Sequence, residues 1–453
     1  MKLIVALLAA SLPMSTFAAE PTIRLITLDP GHFHAALVQK TMYPQVSPQV
    51  HVYAPAGPDL AAHLKLIEGY NTRADNPTHW EETVYTGPDF LDRMCREKAG
   101  NVVVIAGNNL RKTEYIQRSV AAGLNVLADK PMAITAAGFD QLRQAFELAK
   151  KNHVLLYDIM TERYEATIAM QRELAGMPEL FGSLEPATPE NPGVVMESVH
   201  HYFKQVSGSP LLRPAWYFDP RQQGEAIPDV GTHLVDLVQW ECFPGQVLDW
   251  RKDIRVASAR RWPTSLTRAQ FKQVTGLAEY PDFLRGEVGP DGNLNVEQNG
   301  EVNYTLRGVH VKVTARWIYE PPANGKDTYF SRLRGTGADL VIKQGAAENY
   351  DPTLYVENSA SAATAGFEAR VRAAVAKLAA RWPGVEAKPA GNAAWVIVVP
   401  AKYNVGHEAH FAQVTENFLR YFAAGKIPDW EVAGMLAKYY TTTEAQRLAG
   451  KAR

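Results

Sequence analysis

The stretch "LITLDPGHFHAALVQK", Leu25 to Lys40, decides how this chain is read. A short apolar run ends in an Asp-Pro-Gly turn and passes into a segment with helical patterning, the layout of a nucleotide-binding βα turn. Only one glycine, Gly31, is present, and the turn carries His32 and His34, an H-x-H pair of the kind that holds a metal ion. The two readings make different demands on the remainder of the chain. A dinucleotide loop opens a parallel sheet of alternating strands and helices, whereas an H-x-H pair on a first strand, as in amidohydrolase barrels, needs eight parallel βα units.

The segments downstream favour the open sheet. "VHVYAP" (50–55), "NVVVIAG" (101–107), "NVLADKP" (125–131) and "HVLLYDI" (153–159) are short apolar runs, separated by amphipathic stretches such as "AAGFDQLRQAFELAKKN". Continuous apolar strands spaced by helices predict a parallel sheet covered on both faces, with ligands at the carboxyl ends of its strands. The Asp29–His34 turn, Asn109 and Lys130 all fall at such ends. After about Tyr157 the pattern changes. Val309, Val311, Val313, Ala315 and Trp317 alternate with His310, Lys312, Thr314 and Arg316, which predicts a half-buried antiparallel strand with a hairpin partner. "TYFSRLRGTGADLVIKQG" reads as another hairpin, and the chain ends in two helical stretches. The fold class is therefore α/β followed by α+β: a Rossmann-type domain over 20–157, then a domain over 158–453 with an open, mainly antiparallel sheet. A peripheral insertion is expected at about 350–400.

Length and composition set the frame. The 453 residues carry 47 Lys+Arg against 48 Asp+Glu, a net charge of −1, which gives no basic face for nucleic acid. Lys2, the apolar run Leu3–Leu12, Pro13 and small residues up to Ala18 and Ala19 have the order of a secretory signal peptide over 1–19. That run is shorter than the roughly 20 residues that span a bilayer. An exported, periplasmic protein with no membrane span in the mature chain is the expectation. Two cysteines occur, Cys95 in "DRMCREK" and Cys242 in "QWECFPG", both at helical positions in different lobes, and two free thiols are expected.

Chemistry concentrates in two places. In "LADKPMAIT", Lys130 follows a buried strand and precedes a proline that fixes the backbone. In "IPDVGTHLVDLVQW", Asp229, His233 and Asp236 fall at i, i+4 and i+7, one helical face bearing two carboxylates and an imidazole.

Together these residues resemble the Gfo/Idh/MocA (glucose–fructose oxidoreductase / inositol dehydrogenase / MocA) family. "GNN" (107–109) stands where that family has Thr-Pro-Asn, "AAGLNVLADKP" is similar to its A-x-A-G-K-H-V-L-x-E-K-P, and "RGTGADLVI" to its G-T-x-G-x-L hairpin. The segment from Val199 to Leu237 resembles a branch with its own oxidoreductase C-terminal domain. The resemblance implies a tightly held NAD or NADP, cradled by Gly31, His32, Phe33, Asn109, Asp129 and Lys130. It implies a hydroxyl of a sugar, glycoside or polyol as the reacting group. Lys130 would hold the reacting oxygen with its pKa lowered, His233 would exchange the proton, and Asp229 would orient it or bind a hydroxyl. His200, His201, Lys204, Arg213, Trp216 and Asp236 would wall the substrate. Family members also cleave glycosides by transient oxidation and elimination, and their open sheets form oligomer interfaces. The departures are in the first turn, where G-x-G-x-x-G/A becomes Asp29-Pro-Gly31-His-Phe-His34, and in Ala54-Pro55, where an acidic residue usually holds the adenosine ribose. No metal is assigned; a metal-dependent hydrolase and a non-catalytic binding protein stand as alternatives.

Overall fold

Leu25–Leu28 and Val102–Ile105 are buried at every position, as the central strands of a sheet covered on both faces must be. The computed structural model describes residues 22–206, 209–359, 365–391 and 393–451. The expected signal peptide lies outside them. Six parallel strands form the first sheet: β1 (Leu25–Leu28), β2 (Gln49–Tyr53), β3 (Glu81–Tyr85), β4 (Val102–Ile105), β5 (Asn125–Asp129) and β6 (Leu156–Ile159). Their spatial order, β3-β2-β1-β4-β5-β6, reverses direction between β1 and β4, which opens a crevice at the carboxyl ends of those strands. The helix expected after Gly31 is one turn, His34–Leu37. The next amides, of Gln39 and Lys40, bond back only three residues, to Ala36 and Leu37, so the coil tightens and stops.

The second sheet is built from β7 (Val194–His201), β10 (Ile254–Leu266), β11 (Leu294–Leu306), β12 (Val309–Ile318), β13 (Thr328–Arg334), β14 (Ala338–Gln344), β15 (Thr353–Asn358), β16 (Glu386–Pro389) and β17 (Ala394–Val398). A short ribbon, β8 (Gln205–Val206) with β9 (Ser209–Pro210), stands apart from it. The order β10-β11-β12-β7-β13-β14-β15-β17-β16 is antiparallel throughout except where β7 lies parallel to β12. Helices cover one face: Ala166–Ala175, Val230–Cys242 and Phe367–Arg381 contribute Met170, Leu174, Leu234, Val238, Val371 and Leu378 to the core beneath them.

Two boundaries differ from the sequence reading. The piece at 350–400 is not an appendage: β15 pairs with β14, β17 with β15, and the Phe367–Arg381 helix buries its apolar stripe in the common core. The division at 157 also falls inside β6, and the last two helices cross it. Phe411, Val414, Phe418, Met435 and Tyr439, from His407–Ala424 and Asp429–Lys451, complete the core of the first sheet, while Ala445 and Ala449 of the same final helix pack into the second. No described helix is long and apolar enough to cross a membrane. Cys95 and Cys242 are free thiols.

Candidate active site

Lys130 ends the first lobe's β5 strand, and its peptide bond to Pro131 is cis. Across the interlobe cleft, Asp229 stands immediately before the Val230–Cys242 helix. Lys130 Nζ donates to Asp229 Oδ1 at 2.5 Å, and the Tyr217 hydroxyl donates to the other carboxylate oxygen at 3.4 Å. Both charged side chains are largely buried, so removing one partner strands the other at a cost of about 3–5 kcal/mol. Burial works against the Lys130 charge, but the carboxylates of Asp229, Asp129 and Glu162 together outweigh it and the pKa rises. The protein's own groups thus favour the ammonium form of Lys130, whereas the lowered pKa implied by the family resemblance rested on a neighbouring nicotinamide cation; Asp229 is the partner of Lys130.

His233, one turn into the same helix, lies in the field of Lys130 and Asp129. Burial, reinforced by the Lys130 charge, pushes its pKa well below the usual imidazole value, so it is neutral. Its Nδ1 is buried without a hydrogen-bond partner. Glu162, after β6, is a cleft residue that sequence reasoning missed. Burial and Glu165 push its carboxyl up to about 7 while Lys130 pulls it down.

The first turn combines one left-handed residue with a close approach of two loops. Asp29 has φ +47°, the left-handed conformation for which glycine is the usual choice, and the Tyr115 hydroxyl holds its carboxylate at 2.8 Å. A Cβ on Gly31 would come within 3.1 Å of Asp59 Oδ2, 3.3 Å of the Asn108 amide and 3.4 Å of Gly107 Cα. Gly31 therefore lets the β1 and β4 turns pack together. Phe33 stands exposed at the rim. His34 is buried, and its Nδ1 lies 2.9 Å from Asp129 Oδ2, with His32 Nδ1 3.9 Å from the same oxygen. The residue expected at the adenosine end is absent from Ala54-Pro55, but Asp59, in the first turn of the Pro58–Thr72 helix, brings a carboxylate to Gly31. Asn109 fastens the lobes: its amide donates to Gln222 O at 2.8 Å and its Nδ2 to Gln223 O at 2.7 Å. Its Oδ1 remains buried and unpartnered, an acceptor open to a ligand donor. The left-handed turn, the side-chain-free Gly31 and this orphaned acceptor fit a dinucleotide at the crevice.

The expected substrate wall divides. His200 and His201 place their Nδ1 atoms 3.1 and 2.9 Å from the carboxylate of Asp327, which also pairs with Lys204. His200 stacks on Trp317 with ring centres 4.9 Å apart. Arg213 lies over the same indole and donates to the main-chain oxygens of His201 and Tyr202. A cavity of about 580 Å³, lined in part by His201, Phe203, Lys204 and Asp327, opens beside this group. Trp216 reaches the other lobe, its Nε1 donating to Asp59 Oδ2 at 3.2 Å. Asp236 does not belong to the wall. It points inward, where Arg163 grips it at 2.6 and 2.7 Å and Lys438 at 2.8 Å, so no oxygen is left for a substrate. Lys438 also binds Asp158 at 2.6 Å, tying β6 to the final helix. One face of a helix turned out to be two environments, because Asp229 lies at its mouth and Asp236 two turns deeper.

Asp59, Glu162, Asp327 and His407 carried no local signal. Each enters the cleft from a different element; the His407 ring, for example, lies 5.6 Å from that of His34.

Comparison with known proteins places these features. Residues 170–450 match the family model described as "Putative oxidoreductase C terminal domain", and residues 47–158 match "Oxidoreductase family, NAD-binding Rossmann fold". The second match begins beyond the divergent first turn. A "putative oxidoreductase" of Parabacteroides merdae is 54% identical over 96% of this chain and 99% of its own, with a TM-score of 0.94. Levoglucosan dehydrogenase, solved with NADH and levoglucosan, is 14% identical over 95% of this chain and 97% of its own, with a TM-score of 0.57. A 3-ketoreductase from Actinomadura kijaniata, solved with NADP, is 14% identical over 94% of this chain and 97% of its own, with a TM-score of 0.55. No curated protein matches the chain in sequence.

Proposed function

Since the chain belongs to the Gfo/Idh/MocA oxidoreductases, with an NAD-binding Rossmann domain, we propose that it oxidises or reduces a hydroxyl-bearing carbon of a sugar, glycoside or polyol in the cleft between its lobes. The observation that carries this reading is the Lys130–Asp229 pair at the mouth of β5, with the neutral His233 beside it. A bound nicotinamide dinucleotide supplies the hydride chemistry. Lys130 is fixed by Asp229 as a cation where negative charge develops on the substrate oxygen, the placement that stabilises an alkoxide in a desolvated site. The His233 imidazole is the neutral group able to take up the hydroxyl proton. The Asp327 cluster and the cavity beside it suit the hydroxyl-rich remainder of such a substrate.

Export, supported by the N-terminal sequence, adds a requirement. Outside the cytoplasm the cofactor must be retained and recycled within each turnover or reoxidised by a second acceptor. A glycoside-cleaving form of the same chemistry needs a further proton acceptor active near neutrality, and Glu162 beside Lys130 meets that need. The test is to denature the purified protein and identify released small molecules by absorbance and mass, then assay sugars and aryl glycosides. Stoichiometric nicotinamide dinucleotide supports the reading. Free aglycone without net NADH selects the cleaving form. A protein that neither releases nor binds NAD(H) or NADP(H) overturns both.

A further inference from the structure

The first turn gathers more nitrogen than a phosphate cradle uses. His32 and His34 meet edge to face with ring centres 4.0 Å apart, and Asp129 arrives from the end of the neighbouring β5. One donor atom from each of the three lies within 4.8 Å of the others. We propose that His32, His34 and Asp129 form a binding site for one divalent first-row transition-metal ion of the zinc or iron(II) class. This goes beyond the oxidoreductase reading, which assigns no metal.

Two imidazoles and one carboxylate suit such ions, whereas magnesium and calcium favour all-oxygen shells. Metal–ligand bonds of about 2.0–2.2 Å place neighbouring donors about 3–3.5 Å apart. His34 and Asp129 already stand at 2.9 Å, and His32, the most exposed of the three, need only swing inward. The surrounding cations do not occupy the carboxylate. Lys112 directs its Nζ to the main-chain oxygens of Asp129 and Lys130 at 3.2 and 3.4 Å, and Lys130 is engaged by Asp229. Three protein ligands leave a further coordination position, as catalytic rather than structural sites do. The site borders the cleft that holds Lys130, since Asp129 is its neighbour in the chain. The sequence pattern agrees: one of these histidines stands where the family's last loop glycine would be, turned toward a carboxylate.

The test uses the full chain, stripped with a chelator and titrated with zinc chloride by calorimetry, with metal content measured on the protein as isolated. One zinc per chain at micromolar affinity or tighter is expected, together with a raised thermal midpoint. His32→Ala should weaken zinc binding at least tenfold, and His34→Ala or Asp129→Asn should abolish it. His32→Ala carries the decision if the buried variants fail to fold, because His32 is partly exposed. Absence of saturable one-to-one binding in the parent protein, or a His32→Ala titration equal to the parent's, overturns the site. NADH titration of the same stripped protein keeps the two readings apart. NADH binding without zinc binding removes only the metal site, and zinc binding without NADH binding removes only the nucleotide reading.

Discussion

At Lys130 the role proposed above has a measurable consequence. Lys130→Met should lower kcat by about two orders of magnitude or more, while NADH affinity, read by fluorescence titration, stays within a few-fold of the parent. Turnover at the parent rate would remove Lys130 from the chemistry. A second residue makes a prediction about stability. His63 is buried with neither ring nitrogen partnered, and burial lowers its pKa to about 4. The unfolded chain takes up that proton near pH 6.5, whereas the native state refuses it until about 4. Stability is therefore lost as pH falls from 6.5 toward 4, by about 1.4 kcal/mol per pH unit from this one group. His63→Leu should flatten the pH dependence of the urea midpoint between pH 7 and 5, and an unchanged slope would exclude His63 as its source. Sequence motifs brought Lys130, Asp229 and His233 forward as candidates, and the fold sets Lys130 against Asp229. Asp236 shared that spacing and was misplaced, since helical periodicity fixes a direction and not what waits at each depth. Asp59 and Asp327 were invisible for the opposite reason: only tertiary approach gives them partners.

Among elements, the turn after β1 was the hardest to read, because of the glycines the family pattern expects only Gly31 remains. The value of Gly31 is the contact between two loops. Gly31→Val should drive the β1 turn off the β4 turn and abolish NADH binding by calorimetry, and retained affinity would show that the loop tolerates a side chain there. The Pro58–Thr72 helix contributes the next prediction. Asp59 brings a carboxylate to Gly31 and Trp216 at the first turn, and a negative charge there would disfavour the extra 2′-phosphate of NADP. NAD should bind at least about tenfold more tightly than NADP, and Asp59→Asn should narrow the gap; a parent protein preferring NADP would contradict this. Five strands of the parallel sheet were legible as short, mostly apolar runs, whereas β3, Glu81–Tyr85, is a largely exposed edge strand whose polar sequence gave no such signal. The strands from 353 to 398 looked detachable because the helix between them is amphipathic, and only pairing with β14 shows which surface they bury.

For the whole molecule, the two-lobe plan is set by the change in strand pattern near Tyr157, but the path of the carboxyl terminus is not. An amphipathic helix announces that it will be buried, not against which lobe. Phe411, Phe418 and Tyr439 fill the first lobe, and Lys438 pairs with buried Asp158 and Asp236, the latter also held by Arg163. Removing residues 405–453 deletes several large core side chains, each worth about 3–5 kcal/mol, against a total stability of about 5–15 kcal/mol. The shortened chain should show no cooperative thermal transition and no near-ultraviolet dichroism. A cooperative transition would mean that the first lobe stands alone. The same threading sets an order in time. The strands of the nucleotide-binding sheet leave the ribosome first, yet the aromatic side chains that close their core are among the last to be made, so early synthesis cannot be converted into early folding. Chains halted before Phe411 should be digested by protease along their whole length, and a resistant amino-terminal fragment would refute this. Until its final helices emerge, the nascent protein is a client: open to whatever chaperone, protease or translocation machinery reaches it first.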